Sequence, residues 1–324
     1  HLTFTHGMGL TLGPVNQITA EGLPVLFIKD LPPASSVSLK ITRPQIYFGE
    51  MNYDFAVVGT AQREFDHPAG EDNVYAAYAG TGGVSIGSFW RRLVLASRFQ
   101  TSKLLLSGDI TNASRILYVR NIRQRVEKAL PFLSLDRDPY MVVADDGRLV
   151  WILDAYTTTT RYPYSQRLSN GTNYMRNSVK VVLDAYDGSM HAYVTAPTDP
   201  LIQTWSRIFP GILLPMEQMP ADIRAHIRYP DDLYRMQTAL YATYHMDSPD
   251  AFYHREDQWA VPEMEEGSSG AVPFMRHIVM RLPGEENAEF VYMVPFTPRG
   301  KDNLAAWMVA RNDGAAYGKL RAYT

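Results

Sequence analysis

Residues 140–156 read YMVVADDGRLVWILDAY, and this stretch decides the fold. Apolar side chains on both sides of Asp145-Asp146-Gly147 predict two antiparallel strands joined by a tight turn, because Asp-Gly favours the positive backbone angles of a hairpin. Residues 179–194 repeat the pattern around Asp187-Gly188. Such hairpins outnumber strand–helix–strand units along the chain. We therefore expect an α+β fold with a largely antiparallel sheet built from hairpins.

Around these hairpins the sequence predicts further segments. Residues 1–43 are irregular, and residues 44–324 are expected to form a single α+β domain. A clustered helical section, about residues 199–258, is predicted as an insertion beside the sheet that buries five large side chains. These are Trp205, Phe209, Leu233, Met236 and Leu240. Apolar spacing also predicts a basic amphipathic helix over residues 112–130.

Composition excludes several classes of function. The 324 residues include 31 basic and 34 acidic groups, for a net charge of −3. Nucleic-acid-binding proteins usually have a basic excess, so no nucleic acid is expected as a partner. Cysteine is absent, which excludes disulfides, thiolate metal sites and cysteine nucleophiles. No stretch is apolar enough to span a bilayer, and we expect the chain to be part of a longer protein.

Motifs of catalysis and metal binding are weak. The eight histidines are scattered and none lies three or four residues from another, so no metal site is predicted. Gly80-Thr81-Gly82-Gly83 could present backbone N–H groups to an anion, although such glycines more often allow a tight turn. The basic helix could face lipid headgroups or form an ordinary solvated face. Whether the chain is an enzyme, and with which cofactor, stays open.

One tetrapeptide, Leu-Asp-Ala-Tyr, occurs at residues 153–156 and again at 183–186. Strand alternation places Asp154 and Asp184 on matching faces, so the two carboxylates would approach each other if their strands are neighbours. We predict a binding site here. Its further members would be Asp187, Arg161, Arg176, Tyr162 and Tyr164. A bound divalent cation is one alternative, and hydrogen bonding of each Asp within its own turn is the other.

Several segments together resemble the bacterial uncharacterised protein family 0182. They are residues 3–7, 43–50, 153–158, 162–165, 173–180, 184–188 and 252–257. The resemblance implies a multi-pass membrane protein whose large extracytoplasmic part follows the membrane helices. This chain would be that part, located at the cell membrane and attached to helices outside the chain, with residues 1–43 nearest to the last helix. The family implies no agreed activity, cofactor or catalytic residues.

These observations favour a soluble extracytoplasmic domain that serves in binding or assembly at the cell envelope. Its partner would be an envelope component or a lipid headgroup. The alternative is an envelope hydrolase or transferase whose carboxylates are assembled by the fold. A broad surface lined by tyrosines would favour binding, whereas a cleft with carboxylates of shifted pKa would favour the enzyme.

Overall fold

The structure is a computed structural model that describes residues 2–52, 54–168, 170–265 and 271–324. The chain divides into two compact units. The first comprises the residues up to Gly13, Leu26–Leu135 and Pro139–Met219, and the second comprises Pro14–Val25, Asp136–Asp138 and Pro220–Thr324. Mostly antiparallel sheets and several helices confirm the predicted α+β class. The units do not follow the predicted boundary at residue 43, because the first unit contains residues on both sides of it.

The first unit contains one large sheet, several short strands and four of the helices described here. Its strands are β1 (Gly7–Met8), β2 (Ile28–Lys29), β3 (Ala34–Ser35), β4 (Gln45–Ile46), β5 (Ala56–Val58), β6 (Glu64–Ala69), β7 (Asp72–Ala76), β8 (Val84–Ser85), β9 (Arg115–Leu117), β10 (Ser134–Leu135), β11 (Tyr140–Val143), β12 (Leu149–Thr159), β13 (Tyr174–Asp184), β14 (Met190–Val194) and β15 (Leu213–Pro215). Its helices are α1 (Phe89–Arg98), α2 (Lys103–Leu106), α3 (Ile122–Ala129) and α4 (Pro200–Ile208).

The large sheet is built on the long antiparallel pair β12–β13. The strand order is β10-β12-β13-β14-β15, and β11 also pairs with β12. Only the β14–β15 pairing of this sheet is parallel. Gly147 and Gly188 have φ values of 81° and 72° in the two predicted Asp-Gly turns, as such turns require. Gly188 is needed for space as well, since a Cβ there would lie 2.6 Å from the ring of Phe48.

The core of the first unit lies between this sheet and two helices. Leu153, Val181 and Leu183 of the long strands are buried in one cluster with Val126 of α3 and Ile202 of α4. Burying each such side chain contributes roughly 1.5–3 kcal/mol to folding. The hairpin and the helices therefore hold one another in place.

The helix predicted over residues 112–130 is wrong in its first half. Arg115–Leu117 form strand β9, which pairs with β5 and β8, and α3 begins only at Ile122. Val119 between them has a φ of 51°, which a right-handed helix cannot contain. Asn121 then caps α3 by accepting a hydrogen bond from the backbone N–H of Gln124.

The second unit pairs a smaller antiparallel sheet with helix α6. Its helices are α5 (Ala221–Arg224), α6 (Asp231–Tyr244) and α7 (Pro249–His254). Its strands are β16 (Trp259–Ala260), β17 (Glu263–Glu265), β18 (Ala271–Pro273), β19 (Arg276–Arg281), β20 (Ala288–Pro298), β21 (Ala306–Arg311) and β22 (Leu320–Tyr323). The sheet order is β16-β20-β21-β22, and β19 also pairs with β20.

The helical section predicted over residues 199–258 is shared between the units, because α4 belongs to the first and α5–α7 to the second. The expected burial is also wrong in part. Phe209 and Leu240 are exposed, and Trp205, Leu233 and Met236 are only partly buried. Helix α6 instead buries Asp231, Tyr234, Thr238 and Ala242.

Candidate functional site

The carboxylate of Asp154 forms an ion pair with the ammonium of Lys180 across β12 and β13. Both side chains are buried, and the residues lie directly opposite each other in the ladder. Asp184 lies opposite Val150, four positions away along β12, which is about 14 Å at the rise of a strand. The predicted approach of Asp154 and Asp184 is therefore wrong.

Asp184 instead stabilises the turn that follows its own strand. Its Oδ1 accepts hydrogen bonds from the backbone N–H groups of Tyr186 and Asp187, at 2.8 and 3.0 Å. Its Oδ2 accepts one from Nη1 of Arg148 at 3.0 Å. Asp187 accepts one from the N–H of Ser189 at 2.8 Å. The backbone contacts of Asp184 are the local turn contacts of the alternative to a shared site, whereas Asp154 pairs with Lys180 instead.

The other members of the predicted site lie together near the opposite end of the hairpin. We call residues 160–173, described apart from residue 169, the hairpin tip; it contains Arg161, Tyr162 and Tyr164, and Arg176 follows it in β13. The ring of Tyr162 stacks on that of Tyr174, with centroids 5.1 Å apart. The guanidinium of Arg176 lies 5.2 Å from the centre of the Tyr174 ring. Tyrosine rings and arginines thus share one surface.

The side chain of Asn173 forms hydrogen bonds to two other residues of the hairpin tip. Its Oδ1 accepts a hydrogen bond from the N–H of Tyr162 at 3.0 Å, and its Nδ2 donates to the Tyr162 carbonyl at 2.7 Å. Nδ2 also lies 3.3 Å from the carbonyl of Ser165, whose hydroxyl donates to the Asn173 carbonyl at 2.8 Å. These hydrogen bonds join Tyr162 and Ser165 to Asn173, and such restraint of a loop lowers the entropic cost of binding.

Tyr164 is the most exposed tyrosine of the hairpin tip. Its ring is fully in solvent, and its backbone has a φ of 58°. The left-handed conformation costs a residue with a Cβ roughly 1–2 kcal/mol, and burial of the ring does not offset it here. Strained backbone that displays a side chain to solvent is found preferentially at functional sites.

The hairpin tip is also positively charged. No Asp or Glu occurs between Asp154 and Asp184, whereas Arg161, Arg167 and Arg176 are all exposed. The charge of this surface is therefore opposite in sign to the net charge of the whole chain, which is −3. Guanidinium groups bind carboxylates and phosphates through paired hydrogen bonds.

Asp199 connects the base of the hairpin tip to helix α4. Its carboxylate accepts hydrogen bonds from the hydroxyls of Tyr174, Thr157 and Ser178 at 2.5–2.8 Å, and it caps α4 through the N–H groups of Leu201 and Ile202. Burial acts to raise the pKa of Asp199, but the hydrogen bonds outweigh it and hold this pKa below its usual value. Burial and the bond to Asp199 raise the pKa of Tyr174 to about 12, so its hydroxyl stays protonated.

A second polar cluster, which sequence spacing did not indicate, joins His6 to strand β6. Nε2 of His6 lies 3.0 Å from Oδ1 of Asp66, and Nδ1 of His67 lies 2.7 Å from Oδ2. Nε2 of Gln45 donates to the same Oδ1 at 2.9 Å. Burial lowers the pKa of His6, although the hydrogen bond to Asp66 opposes this. The hydrogen bonds from Gln45, His67 and His6 outweigh burial and lower the pKa of Asp66.

Both carboxylate oxygens of neighbouring Glu64 accept hydrogen bonds. Oε2 accepts hydrogen bonds from the hydroxyls of Thr5 and Tyr47 at 2.5 and 2.9 Å, and Oε1 accepts from the N–H of Tyr78 at 3.1 Å. Among the described residues, no group of three or more His, Asp or Glu could hold a metal ion. The cluster therefore fastens the start of the chain to β6. His6 is about 60 residues distant from its partners in sequence, so only the fold reveals the contact.

The glycine loop at residues 80–83 accepts hydrogen bonds from the guanidinium of Arg115. Nε of Arg115 donates to the carbonyl of Gly82 at 2.7 Å, and Nη2 donates to the carbonyls of Thr81 and Gly83 at 2.8 and 2.9 Å. The loop thus presents carbonyl oxygens to Arg115. The expectation of an anion site made of its N–H groups finds no support in this geometry.

Other arginines of residues 112–130 are also used inside the first unit. Arg120 is buried and donates to the carbonyls of Tyr47 and Thr5, at 2.7 and 2.5 Å. Arg125 donates to the carbonyl of Gly188 at 2.9 Å and lies over the ring of Phe48. Three of the five basic residues predicted for one helix face, Arg115, Arg120 and Arg125, are therefore used within the first unit.

Comparison with known proteins places the chain among bacterial relatives. A UPF0182 protein of Geobacter sulfurreducens is 50% identical over 323 residues, which cover 100% of this chain and 36% of that protein. Relatives from Pelotomaculum thermopropionicum and a Sulfurovum species are 48% and 49% identical, again over the whole chain and 35% and 36% of their own lengths. The chain therefore spans about a third of the relatives that it matches.

The remaining comparisons concern the family and the structure. No solved structure matches the chain. Within the part of the chain that the structure describes, every helix is too short or too polar to cross a bilayer. The family model described as "Uncharacterised protein family (UPF0182)" matches residues 1–324. This match and the relatives confirm the resemblance found in the sequence: the chain belongs to the uncharacterised protein family UPF0182.

Proposed function

We propose that this chain is an extracytoplasmic binding module of a bacterial membrane protein, with the hairpin tip as its contact surface at the cell envelope. The chain corresponds to about a third of its bacterial relatives, which leaves ample length for membrane-spanning segments elsewhere in the whole protein. A chain without cysteine is compatible with an oxidising compartment.

The chemistry of the hairpin tip favours an anionic ligand that also has hydroxyl groups, as an acidic polysaccharide of the envelope does. Tyr162, Tyr164 and Tyr174 offer apolar ring faces with polar edges, which suit amphipathic surfaces such as sugar rings. Arg161, Arg167 and Arg176 would bind the carboxylate or phosphate groups. Both groups of residues belong to one segment without acidic residues, so no carboxylate of that segment competes with the ligand.

The observation that carries this proposal is Tyr164, a fully exposed ring on a left-handed backbone. The Asn173 hydrogen bonds maintain the loop that presents it. A protein gains no folding stability from this arrangement, since the ring is unburied and the backbone is strained. Contact between the Tyr164 ring and a ligand would explain why the protein has this exposed and strained residue.

The test is co-sedimentation of the chain with bacterial cell-wall sacculi that retain their acidic polymers. Sacculi stripped of those polymers serve as the control for the ligand. The double variant Arg161→Ala with Tyr164→Ala should bind at least about tenfold more weakly, because a central aromatic and an arginine are typical binding hot spots. Tyr253→Ala removes an exposed tyrosine of the second unit and should leave binding unchanged. Equal binding by all variants, or to both kinds of sacculi, would exclude the hairpin tip.

The alternative of an envelope hydrolase or transferase receives less support. A general acid at neutral pH needs a carboxyl group of raised pKa. Asp66 and Asp199, which are embedded in hydrogen bonds of the first unit, both have lowered pKa values. Asp154 and Asp184, the carboxylates expected to cooperate, lie apart with separate partners. These features are typical of structural carboxylates.

A further inference from the structure

Helix α1 of the first unit exposes its apolar side chains. Phe89, Trp90 and Val94 are 63%, 71% and 66% exposed, and the helix buries only Leu95 and Ala96. A surface helix ordinarily presents polar residues on its outer side. Helix α1 therefore has an apolar side that the rest of the described first unit does not cover.

The exposed residues form a continuous strip because of their spacing. Phe89 and Leu93, like Trp90 and Val94, are four residues apart and lie on adjacent turns of one side of the helix. Leu106 of α2 is also exposed, at 81%. An open groove of about 630 Å³ runs beside the strip. It is lined by Gly83, Val84, Trp90, Arg91, Val94, Leu95 and Tyr118.

All charged residues in the segment around α1 and α2, residues 73–108, are basic. No Asp or Glu occurs between Asp72 and Asp109. Arg92 donates to the carbonyls of Ile86 and Ile110 and is used within the unit. Arg91, Arg98 and Lys103 are exposed. A strip of aromatic and aliphatic side chains thus stands beside three exposed cations.

We propose that this α1–α2 face docks on the surface of an anionic lipid bilayer. Phe89, Trp90 and Val94 enter the boundary between headgroups and acyl chains, where tryptophan rings are stable. Arg91 and Lys103 contact the lipid phosphates, since basic residues are attracted to a negatively charged leaflet.

Charge complementarity favours a bilayer over a second copy of this chain. A symmetric contact between two α1–α2 faces would place two sets of arginines and lysines against each other, and no acidic residue of the segment could neutralise them. An anionic membrane offers acyl chains that can bury the apolar strip and phosphates that can pair with the cations. This inference concerns a surface separate from the hairpin tip and does not depend on the function proposed for it.

The experiment measures binding of the 324-residue chain to lipid vesicles by flotation. Vesicles of phosphatidylcholine with a quarter phosphatidylglycerol are compared with vesicles of phosphatidylcholine alone. We expect the chain to float only with the anionic vesicles and its tryptophan fluorescence to shift to the blue. Trp90 is the one exposed tryptophan of the five, and all five lie within the described residues. The shift should therefore disappear in Trp90→Phe.

Paired variants separate the two contributions. Phe89→Ala with Trp90→Ala should weaken binding at least about tenfold through lost apolar burial. Arg91→Gln with Lys103→Gln should weaken it about twenty-five-fold, at about fivefold for each cation removed. The control Ile208→Ala with Ile212→Ala removes two exposed aliphatic residues elsewhere in the first unit and should bind like the parent.

Three results would overturn the proposal. The chain could fail to float with anionic vesicles, or the α1 variants could float as well as the parent. Third, Phe89→Ala with Trp90→Ala could change only the oligomeric state measured by sedimentation, which would assign the face to a second copy. Variants of the hairpin tip should float normally, so failure of one proposal is distinguishable from failure of the other.

Discussion

Removing the ammonium of Lys180 should destabilise the first unit strongly. In the variant Lys180→Met the carboxylate of Asp154 stays at the centre of the β12–β13 pair, where it is 3% exposed, but loses its cation. Breaking a buried ion pair by removing one partner typically costs 3–5 kcal/mol, because the remaining charge is neither solvated nor paired. Methionine nearly preserves the length and volume of lysine, so loss of packing contributes little to this value.

The assay is urea unfolding at pH 7, followed by circular dichroism and tryptophan fluorescence. We expect the free energy of unfolding to fall by about 3–5 kcal/mol. The melting temperature should fall by on the order of 10 °C, given about 2–4 °C per kcal/mol for a folding unit of this size. Lys128→Met removes an exposed lysine from α3 in the same unit and should change stability by no more than about 0.5 kcal/mol.

A double variant separates lost charge pairing from lost packing. Asp154→Leu with Lys180→Met replaces both charges by apolar groups, and such replacements of buried pairs are often neutral or stabilising. We expect the double variant to recover most of the stability that Lys180→Met loses. If Lys180→Met is as stable as Lys128→Met, the pair is not buried as described. If the double variant is no more stable than the single one, packing rather than an unpaired carboxylate explains the loss.

Two further substitutions test local features of the first unit. Asp199→Asn should cost about 1–3 kcal/mol at pH 7 by weakening the hydrogen bonds that surround this carboxylate. Folding lowers the pKa of Asp199, so its contribution to stability is complete above the unfolded pKa near 3.8 and is lost as the pH falls through the folded pKa. Unfolding curves at pH 7 and pH 3 should therefore show a smaller difference in stability between the variant and the parent at pH 3. Gly82→Ala should cost about 2 kcal/mol or more, since a Cβ would lie 1.9 Å from the carbonyl oxygen of Asp187; Gly108→Ala, which meets open space, should have little effect on the urea midpoint.

The hairpins of the large sheet could be predicted because their signals are local. Asp-Gly at residues 146–147 and 187–188 meets the turn's need for a positive φ without help from distant residues. The apolar residues on either side alternate or run continuously as a buried strand requires. Turn and strand signals agree here, so the structure follows them.

The segment 112–130 shows where local signals fail. Its apolar residues at 113, 116, 117, 122 and 126 fit a helical period, yet Arg115–Leu117 form a strand. Strand β9 exists because β5, nearly 60 residues earlier, and β8 pair with it. A pairing partner at that distance leaves no trace in the spacing of the segment itself. Long-range pairing therefore overrides the periodicity.

Helix α6 and the β12–β13 pair show a second limit. Tyr234 is fully buried because its hydroxyl donates to the carbonyl of Met308 at 2.8 Å, while Leu240 of the same helix is exposed. Lys180 is buried because Asp154 stands opposite it. Hydrophobicity alone ranks these residues in the reverse order. Burial of a polar side chain depends on a partner, and the partner is known only from the fold.

The candidate site was predictable in part, because some of its residues are close together in the sequence. Arg161, Tyr162, Tyr164 and Arg176 are close in sequence, and one loop and its adjoining strand contain them all. The predicted approach of Asp154 and Asp184 assumed a register of β12 and β13 in which the two residues lie opposite each other. In the observed register each lies opposite a residue of the other strand four positions away from the expected match. Local sequence therefore predicts which residues share a loop, whereas the meeting of two strands depends on register.

The distribution of charge connects the two proposed surfaces. Residues 73–108 and 155–183 contain no acidic residue and eight of the 31 lysines and arginines, so the rest of the chain has 23 basic against 34 acidic groups. The same two segments expose Trp90 and Tyr164, large aromatic side chains without cover from the described part of their unit. Without acidic residues, the lysines and arginines of these segments attract an anionic partner, and the exposed aromatic rings can then bind it. Both proposed surfaces therefore combine basic charge with exposed aromatic rings, which is the chemistry that an anionic partner requires.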